Sequence, residues 1–211
     1  ISVSAMRTLI RSYINQYRGL PATDKSLFKL IKHFPSWASL QEGRSPLSDG
    51  LPWITFDAIG FLKKNLRPDM HVFEYGSGGS SVFFARRVKS VVSVEHDREW
   101  FVLVQSGMQN DGIQNWRGIF AAPEKSNATL SDSDPAGYST SDEKWEGHTF
   151  HAYVKSIDEF PDEYFSLVSV DGRSRPSCIM HAVKKIRKGG YILVDNSDRP
   201  NYQRAIREFI D

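Results

Sequence analysis

One stretch, HVFEYGSGGS at positions 71–80, constrains the fold of this chain more than any other. An apolar run leads to Glu74, glycines follow at positions 76 and 78, and the apolar pattern of a helix begins directly afterwards. Gly76 and Gly78 permit positive φ and let a ligand approach the backbone at a helix N-terminus. A strand, a glycine-rich turn and a helix in succession indicate the entry to an open α/β nucleotide site.

The position of Glu74 argues against a dinucleotide. Dinucleotide sites read G-x-G-x-x-G and place a pyrophosphate on the helix dipole. Here a carboxylate stands two residues before Gly76, and the third glycine position is taken by Ser81. Because the carboxylate would repel a pyrophosphate and attract a cation, the turn favours a cationic ligand without phosphates, such as S-adenosylmethionine with its sulfonium and ammonium groups.

A second acid supports this interpretation. The apolar, β-branched run at positions 91–94 indicates a buried parallel strand, and it ends at Glu95, 19 residues after Gly76. In a βαβ unit this spacing places a carboxylate at the tip of the neighbouring strand, where it can accept hydrogen bonds from both ribose hydroxyls.

The two acids and the glycine turn resemble the first motifs of class I S-adenosylmethionine-dependent methyltransferases. The resemblance covers residues 51–211 and implies transfer of a methyl group to a small-molecule acceptor, most simply a hydroxyl. It also implies that the cofactor lies against the turn, the second acid and the exit of the third strand. The implied cofactor-binding residues are Glu74, Gly76, Ser77, Gly78, Ser80, Glu95, His96 and Ala122.

Alternating apolar patterns predict an α/β fold with a doubly wound, mostly parallel Rossmann-like sheet and helices on both faces. We expect strands near 71–75, 91–95, 115–122, 165–170 and 191–194, with a helix at 176–187 ended by the sequence KGG at 188–190. A helix at 51–62 would hold Pro52 in its first turn and Trp53 in the core; alternatively, Trp53 and Asp57 face the cofactor or substrate. The resembled family has two further strands, for which the sequence up to Asp211 leaves no room.

Two regions stand outside this alternation. Residues 1–50 predict a helical extension or lid, with Ile10, Ile14 and Tyr17 on one helical face. The polar stretch 126–148 predicts an insertion loop over the substrate side, with Tyr138 and Trp145 as its ligand contacts. The chain begins at Ile1 and ends within a helical pattern, so we expect residues beyond both ends.

Acids also end the last two strands. Asp171 follows the fourth strand and Asp195-Asn196 the fifth, and these oxygens form a set suited to Mg²⁺. The set resembles metal-dependent O-methyltransferases of the catechol type, although Gly172-Arg173 stands where that group has a lysine. Alternatively, Arg173, Arg175 and Arg199 pair with the acids or clamp an anionic substrate. In either case we predict Asp171 as a catalytic residue, metal ligand or general base, with Arg173 beside it.

The composition limits the kinds of binding partner and the cellular location that we expect for this chain. The net charge of +2 predicts no nucleic-acid partner, and no apolar run is long enough to span a membrane. Cys178 is the sole cysteine, which indicates a reducing compartment and hence the cytoplasm. The oligomeric state stays open, including a homo-oligomer. Two other functions also stay open: an NAD-dependent oxidoreductase on the same frame, and a non-catalytic cofactor-binding or assembly protein.

Overall fold

The computed structural model describes residues 10, 11, 13, 14, 46–127 and 131–210. Residues 10, 11, 13 and 14 have helical backbone, in agreement with a helix there, while Tyr17 and the rest of the predicted extension lie outside the described residues. None of the described helices is long and apolar enough to cross a membrane.

Five strands form a wholly parallel sheet: β1 (His71–Tyr75), β2 (Ser90–Glu95), β3 (Trp116–Phe120), β6 (Phe165–Val170) and β7 (Ile186–Val194). Their order across the sheet is β3-β2-β1-β6-β7. A separate antiparallel pair consists of β4 (Glu124–Lys125) and β5 (His148–Thr149). The chain order reverses between β1 and β6, and ligands in open α/β sheets bind at the carboxyl ends of the strands at that point.

Helices cover both faces of the sheet. The helices are α1 (Pro46–Asp49), α2 (Phe56–Asn65), α3 (Gly79–Ala85), α4 (Arg98–Asn110), α5 (His151–Lys155), α6 (Arg175–Ala182) and α7 (Gln203–Phe209). Alternate residues of each strand point to opposite faces. Val72 accordingly packs with α2 and α3, whereas its neighbour Phe73 belongs to the core built with α5, α6 and α7. The predicted doubly wound Rossmann-like fold is confirmed.

The helix before β1 begins later than predicted. Thr55 is the N-cap of α2, since its hydroxyl accepts a hydrogen bond from the amide of Ala58 (3.3 Å), so Pro52 precedes the helix. Trp53 is 73% exposed, and its prediction as a core residue was wrong. The start of α2 is therefore set by the capping side chain of Thr55, and the preference of proline for the first turn of a helix did not determine it.

The last strand also differs from the prediction. The helix ends at Ala182, and residues 188–190 lie inside β7 instead of stopping a helix. The pairing of β7 with β6 shifts register here, from Phe165 opposite Ile186 to Leu167 opposite Tyr191. Gly189 has φ of +71°, and a Cβ on Gly190 would lie 2.7–2.9 Å from its neighbours. The two glycines therefore permit a β-bulge in this strand. From the sequence pattern alone, glycines at a bulge cannot be distinguished from glycines that end a helix.

Candidate functional site

The glycine turn after β1 is held tightly from both sides. Gly76 has φ of +92°, and a Cβ placed on it would approach the Cα of Gly172, in the turn after β6, to 3.2 Å. The indole Nε1 of Trp100 donates a hydrogen bond to the carbonyl of Ser77 (2.7 Å). The backbones of the turns after β1 and β6 are thus in direct contact at the point where the strand order reverses. This contact makes the floor of the site rigid.

Glu95, at the end of β2, is the acid that borders the adjoining pocket. Its Oε2 accepts hydrogen bonds from the amide (3.0 Å) and hydroxyl (3.2 Å) of Ser77. Its Oε1 accepts from the amides of His96 (2.8 Å) and Asp97 (2.9 Å), with His96 Nδ1 also 2.8 Å away. Burial acts to raise the pKa of Glu95, but the contacts with His96 and with the amides of Asp97 and Ser77 outweigh it and lower the pKa. Glu95 is therefore a charged acceptor at neutral pH.

Glu74 lies beneath the turn rather than in the pocket. It is 1% exposed and accepts hydrogen bonds from the hydroxyls of Ser81 and Ser93, the latter at 2.6 Å. Its Oε2 has no hydrogen-bond partner among the described residues. Burial raises the pKa of Glu74 to about 7, against the opposing effect of the serine hydroxyls. Its prediction as a direct cofactor contact remains untested, and the geometry makes it a support of the turn.

A pocket of about 430 Å³ opens at the carboxyl ends of β1, β2 and β6. This volume lies in the range of sites for small molecules and cofactors. The residues that border it are Gly76, Ser77, Ser80, Glu95, His96, Asp97, Trp100, Lys144, Asp171, Gly172, Arg173 and Arg175. Of the predicted site residues, Gly78 lies behind the turn, against Trp100, and Ala122 is exposed at the exit of β3; neither borders the pocket.

The acids that end β6 and β7 meet around a guanidinium group. Nη2 of Arg175 donates to Oδ1 of Asp171 (2.9 Å), and Nη1 donates to the carbonyl of Asp195 (2.5 Å). The side-chain oxygens of Asp195 and Asn196 lie 3.4 and 3.3 Å from Nη1. The three predicted metal ligands, Asp171, Asp195 and Asn196, thus lie close together. The positive charge between them is the guanidinium group of Arg175. Among the described residues no cluster of three His, Cys, Asp or Glu side chains suits a metal.

The environment of Asp171 alters its ionisation. Burial, and then the neighbouring Asp195 carboxylate, raise the pKa of Asp171 to about 7, while Arg175 acts to lower it. The pocket therefore contains a carboxylate that can exchange a proton near neutral pH.

The polar insertion forms one wall of the pocket. Its ends are joined by the pairing of β4 with β5 and by a hydrogen bond from Ser126 N to the carbonyl of Gly147 (2.8 Å). Within it, Asp142 pairs with Arg173 (2.9 Å), and Lys144 borders the pocket. Sequence reasoning missed Lys144 and Trp100, whose placement depends on how the insertion and α4 pack.

Tyr138 and Trp145 face inward instead of toward the pocket. Both pack against the core that α5 and α6 share with the sheet. The hydroxyl of Tyr138 lies 3.1 Å from Nε2 of His181, whose Nδ1 contacts Asp158 at 2.8 Å. Tyr138 therefore fastens the insertion to α6, and the ligand-contact role predicted for these two aromatics finds no support in their placement.

Comparison with known proteins supports the fold. No protein-family model matches the sequence, and neither does any curated protein. Among solved structures, precorrin 8w decarboxylase from Methanobacterium thermoautotrophicum matches with a TM-score of 0.51, at 14% identity over 76% of this chain and 75% of that chain. A methyltransferase-like protein from Silicibacter pomeroyi matches with a TM-score of 0.49, at 21% identity over 72% and 75% of the two chains.

A third match is shorter. The YcgJ protein from Bacillus subtilis matches with a TM-score of 0.45, at 15% identity over 66% of this chain, and this chain spans only 50% of that protein. At these identities the likeness concerns the fold. The molecule is therefore a Rossmann-like α/β protein with a ligand pocket at the point where its strand order reverses.

Proposed function

We propose that this protein is an S-adenosylmethionine-dependent methyltransferase that acts on a hydroxyl group of a small molecule. The observation that carries the proposal is the ionised carboxylate of Glu95 at the edge of the pocket, beside the turn of Gly76 and Ser77. A charged acceptor at the tip of the second strand is suited to the ribose hydroxyls of a nucleoside.

The charges beside the turn favour a sulfonium over a pyrophosphate. Two carboxylates, Glu95 and Asp97, border the pocket beside the turn. The three cations of the pocket come from the insertion and from the segment after β6, and each forms an ion pair with an acid. In place of the third glycine, the fully buried Ser81 donates to Glu74 and accepts from the amide of Gly78 (3.0 Å). The amide of Gly78 at the helix N-terminus is therefore engaged within the protein, where a dinucleotide would need it for a phosphate.

The residues present fit the nucleoside part of the cofactor. The carboxylate of Glu95 already accepts from two groups of Ser77, and the hydroxyl contact is the longer one, at 3.2 Å. A ribose hydroxyl would replace that Ser77 hydroxyl as donor while the three amide contacts to Glu95, from Ser77, His96 and Asp97, persist. His96 and Trp100 border the same pocket and offer apolar ring surface for the rest of the nucleoside.

Asp171 is our choice for the general base. The bound cofactor supplies an already activated methyl group, so the protein has to orient the acceptor and remove its proton. With a pKa of about 7, Asp171 is matched to proton abstraction at neutral pH. Arg173 borders the pocket beside it and can orient an acceptor oxygen.

We derive no step through Mg²⁺. The guanidinium of Arg175 lies where an ion between Asp171, Asp195 and Asn196 would lie, and it already supplies a positive charge to these oxygens. The metal site stays a prediction of the sequence, and the ion-pair alternative accounts better for the arrangement.

The wider assignments also stay proposals. A small-molecule acceptor, the absence of a nucleic-acid partner and a cytoplasmic location derive from pocket size, the net charge of +2 and the single cysteine. We retain the division into a helical extension at 1–50 and a cofactor-binding domain at 51–211 as a proposal.

Calorimetric titration of S-adenosylhomocysteine into the purified chain tests the function. We expect micromolar binding that Glu95→Gln weakens about 10- to 100-fold, because hydrogen bonds to a charged acceptor contribute about 1.5–3 kcal/mol. The matched control is Glu124→Gln at an exposed position of β4, which should bind like wild type. Binding of NAD in preference would favour the oxidoreductase, and binding of neither ligand would contradict the cofactor assignment.

A further inference from the structure

A second, smaller cavity adjoins the main pocket at the N-terminus of α6. Its volume is about 40 Å³, which corresponds to roughly three water-sized positions. Gly172, Arg173 and Arg175 border both cavities. A group bound in the smaller cavity would therefore belong to a molecule that extends into the larger one.

The cavity has cationic donors that the fold leaves partly unused. Arg175 is fully engaged with Gly172 and with the acids that end β6 and β7. The side chain of Arg199, by contrast, forms no ion pair among the described residues, and its hydrogen bond there runs from Nη1 to the hydroxyl of Tyr202 (3.3 Å). Arg199 thus offers several free N–H groups at the edge of the cavity.

A buried hydroxyl supplies an independent sign of a ligand. Ser174 borders the cavity, is 3% exposed, and has an Oγ atom with no hydrogen-bond partner in the described part of the chain. It precedes the first residue of α6 but does not cap the helix with its side chain, and its φ is +50°. Buried polar atoms are normally satisfied, so a hydroxyl left over beside arginines indicates an acceptor that arrives from outside.

We propose that this cavity binds an oxyanionic group, phosphoryl or carboxylate, of the methyl acceptor. The ligand would accept hydrogen bonds from Arg199, Arg173 and the Ser174 hydroxyl, and it would lie near the positive end of the α6 dipole. One carboxylate, Asp132, also borders the cavity, but its Oδ2 is engaged by Asn201 (2.8 Å). The acceptor role rests on the proposed function, whereas the anion site itself does not.

Titration with inorganic phosphate, followed by NMR through the backbone amide signals of residues 172–175 and of Ser177, tests the site. We expect saturable shifts that Arg199→Gln weakens about tenfold, because the variant loses charged hydrogen bonds. Ser174→Ala should weaken binding by a smaller factor. Arg67→Gln, which removes the same charge from an exposed pair with Asp69 before β1, should leave it unchanged. Lack of saturation, or equal binding by Arg199→Gln and wild type, would overturn the proposal.

A parallel titration with acetate separates the two sources of the anion. Tighter phosphate binding indicates a phosphorylated acceptor, and equal or tighter acetate binding indicates a carboxylated one. S-adenosylhomocysteine is then titrated into the same samples. If phosphate binds and S-adenosylhomocysteine does not, the acceptor role is overturned; if S-adenosylhomocysteine alone binds, the anion site is overturned and the proposed function stands.

Discussion

The guanidinium of Arg175 donates a hydrogen bond of 2.9 Å to the carboxylate of Asp171, four residues earlier in the chain. The same side chain reaches the backbone after β7, so one arginine joins the ends of two neighbouring strands. This contact fixes the distance between the proposed base and the far wall of the site.

Replacement of Arg175 by methionine should destabilise the fold. The variant leaves two adjacent carboxylates without their cation, and breaking such a pair costs about 3–5 kcal/mol when it is buried. Because the Asp171 side chain is 37% exposed, we expect a loss of about 2–3 kcal/mol in the free energy of unfolding, measured by urea denaturation. Arg67→Met at the exposed pair with Asp69 serves as the control, and equal losses in both would contradict the account.

Replacement of Asp171 by asparagine should remove the proposed base while keeping its shape. We expect methyl transfer to fall about 10²- to 10⁴-fold, with the affinity for S-adenosylhomocysteine within a factor of about three of wild type. The measurement is kcat by product formation together with calorimetry. Asp69→Asn, at an exposed turn, is the control. A variant that loses cofactor affinity instead would place Asp171 in cofactor binding.

The rate of methyl transfer should depend on pH through Asp171. The base acts as a carboxylate, and its raised pKa of about 7 means that protonation removes it on the acid side. We expect kcat to rise tenfold per pH unit below about 7 and to level off above it. A rate–pH profile from pH 5 to 9 tests this, and a flat profile would exclude Asp171 as the base.

Glu74 should make the protein less stable as pH rises. Its pKa is about 7 when folded and about 4.5 in the reference state, so between these values the folded state holds the extra proton and stability falls with increasing pH. Glu74→Gln removes this dependence. Relative to wild type it should gain about 2.5 kcal/mol between pH 5 and pH 8 in urea denaturation. Glu124→Gln at an exposed position should show no such gain.

Two glycine substitutions should act in opposite directions. A Cβ on Gly60, in the exposed part of α2, meets nothing within 4 Å, so Gly60→Ala should stabilise the protein by about 0.5–1 kcal/mol. Gly76→Ala meets the backbone of Gly172 at a φ of +92° and should cost about 2 kcal/mol or more. Thermal denaturation compares the two. Similar effects at both positions would contradict the close approach of the turns.

The central part of the fold could be predicted from local pattern. The strand that leads to Glu74 follows a short apolar run, and the strand that ends at Glu95 is apolar and β-branched, so both strands and their adjacency follow from sequence alone. Local pattern failed where a competing contact decided the outcome. The N-cap of α2 is Thr55, although Pro52 was expected in the first turn of this helix. Gly189 lies at a β-bulge inside β7, although it was expected to end a helix.

The site could be predicted only in part. Strand ends place Glu95 and Asp171 at the pocket, because parallel strands end at one edge. Sequence spacing cannot say how deeply an acid is buried, so the position of Glu74 beneath the turn was not foreseen. Sequence spacing also cannot show which residues of the insertion contact the rest of the fold. The place of Lys144 in the pocket and the contact of Asp142 with Arg173 were therefore missed.

The short pairing of β4 with β5 has a further consequence for engineering. Since it brings the entry and exit of the insertion side by side, with Lys125 opposite His148, the stretch between them can be exchanged as a cassette without disturbing the register of the main sheet. A graft that keeps Tyr138 and Trp145 for packing against the core, and varies other residues around Lys144, would redesign one wall of the pocket.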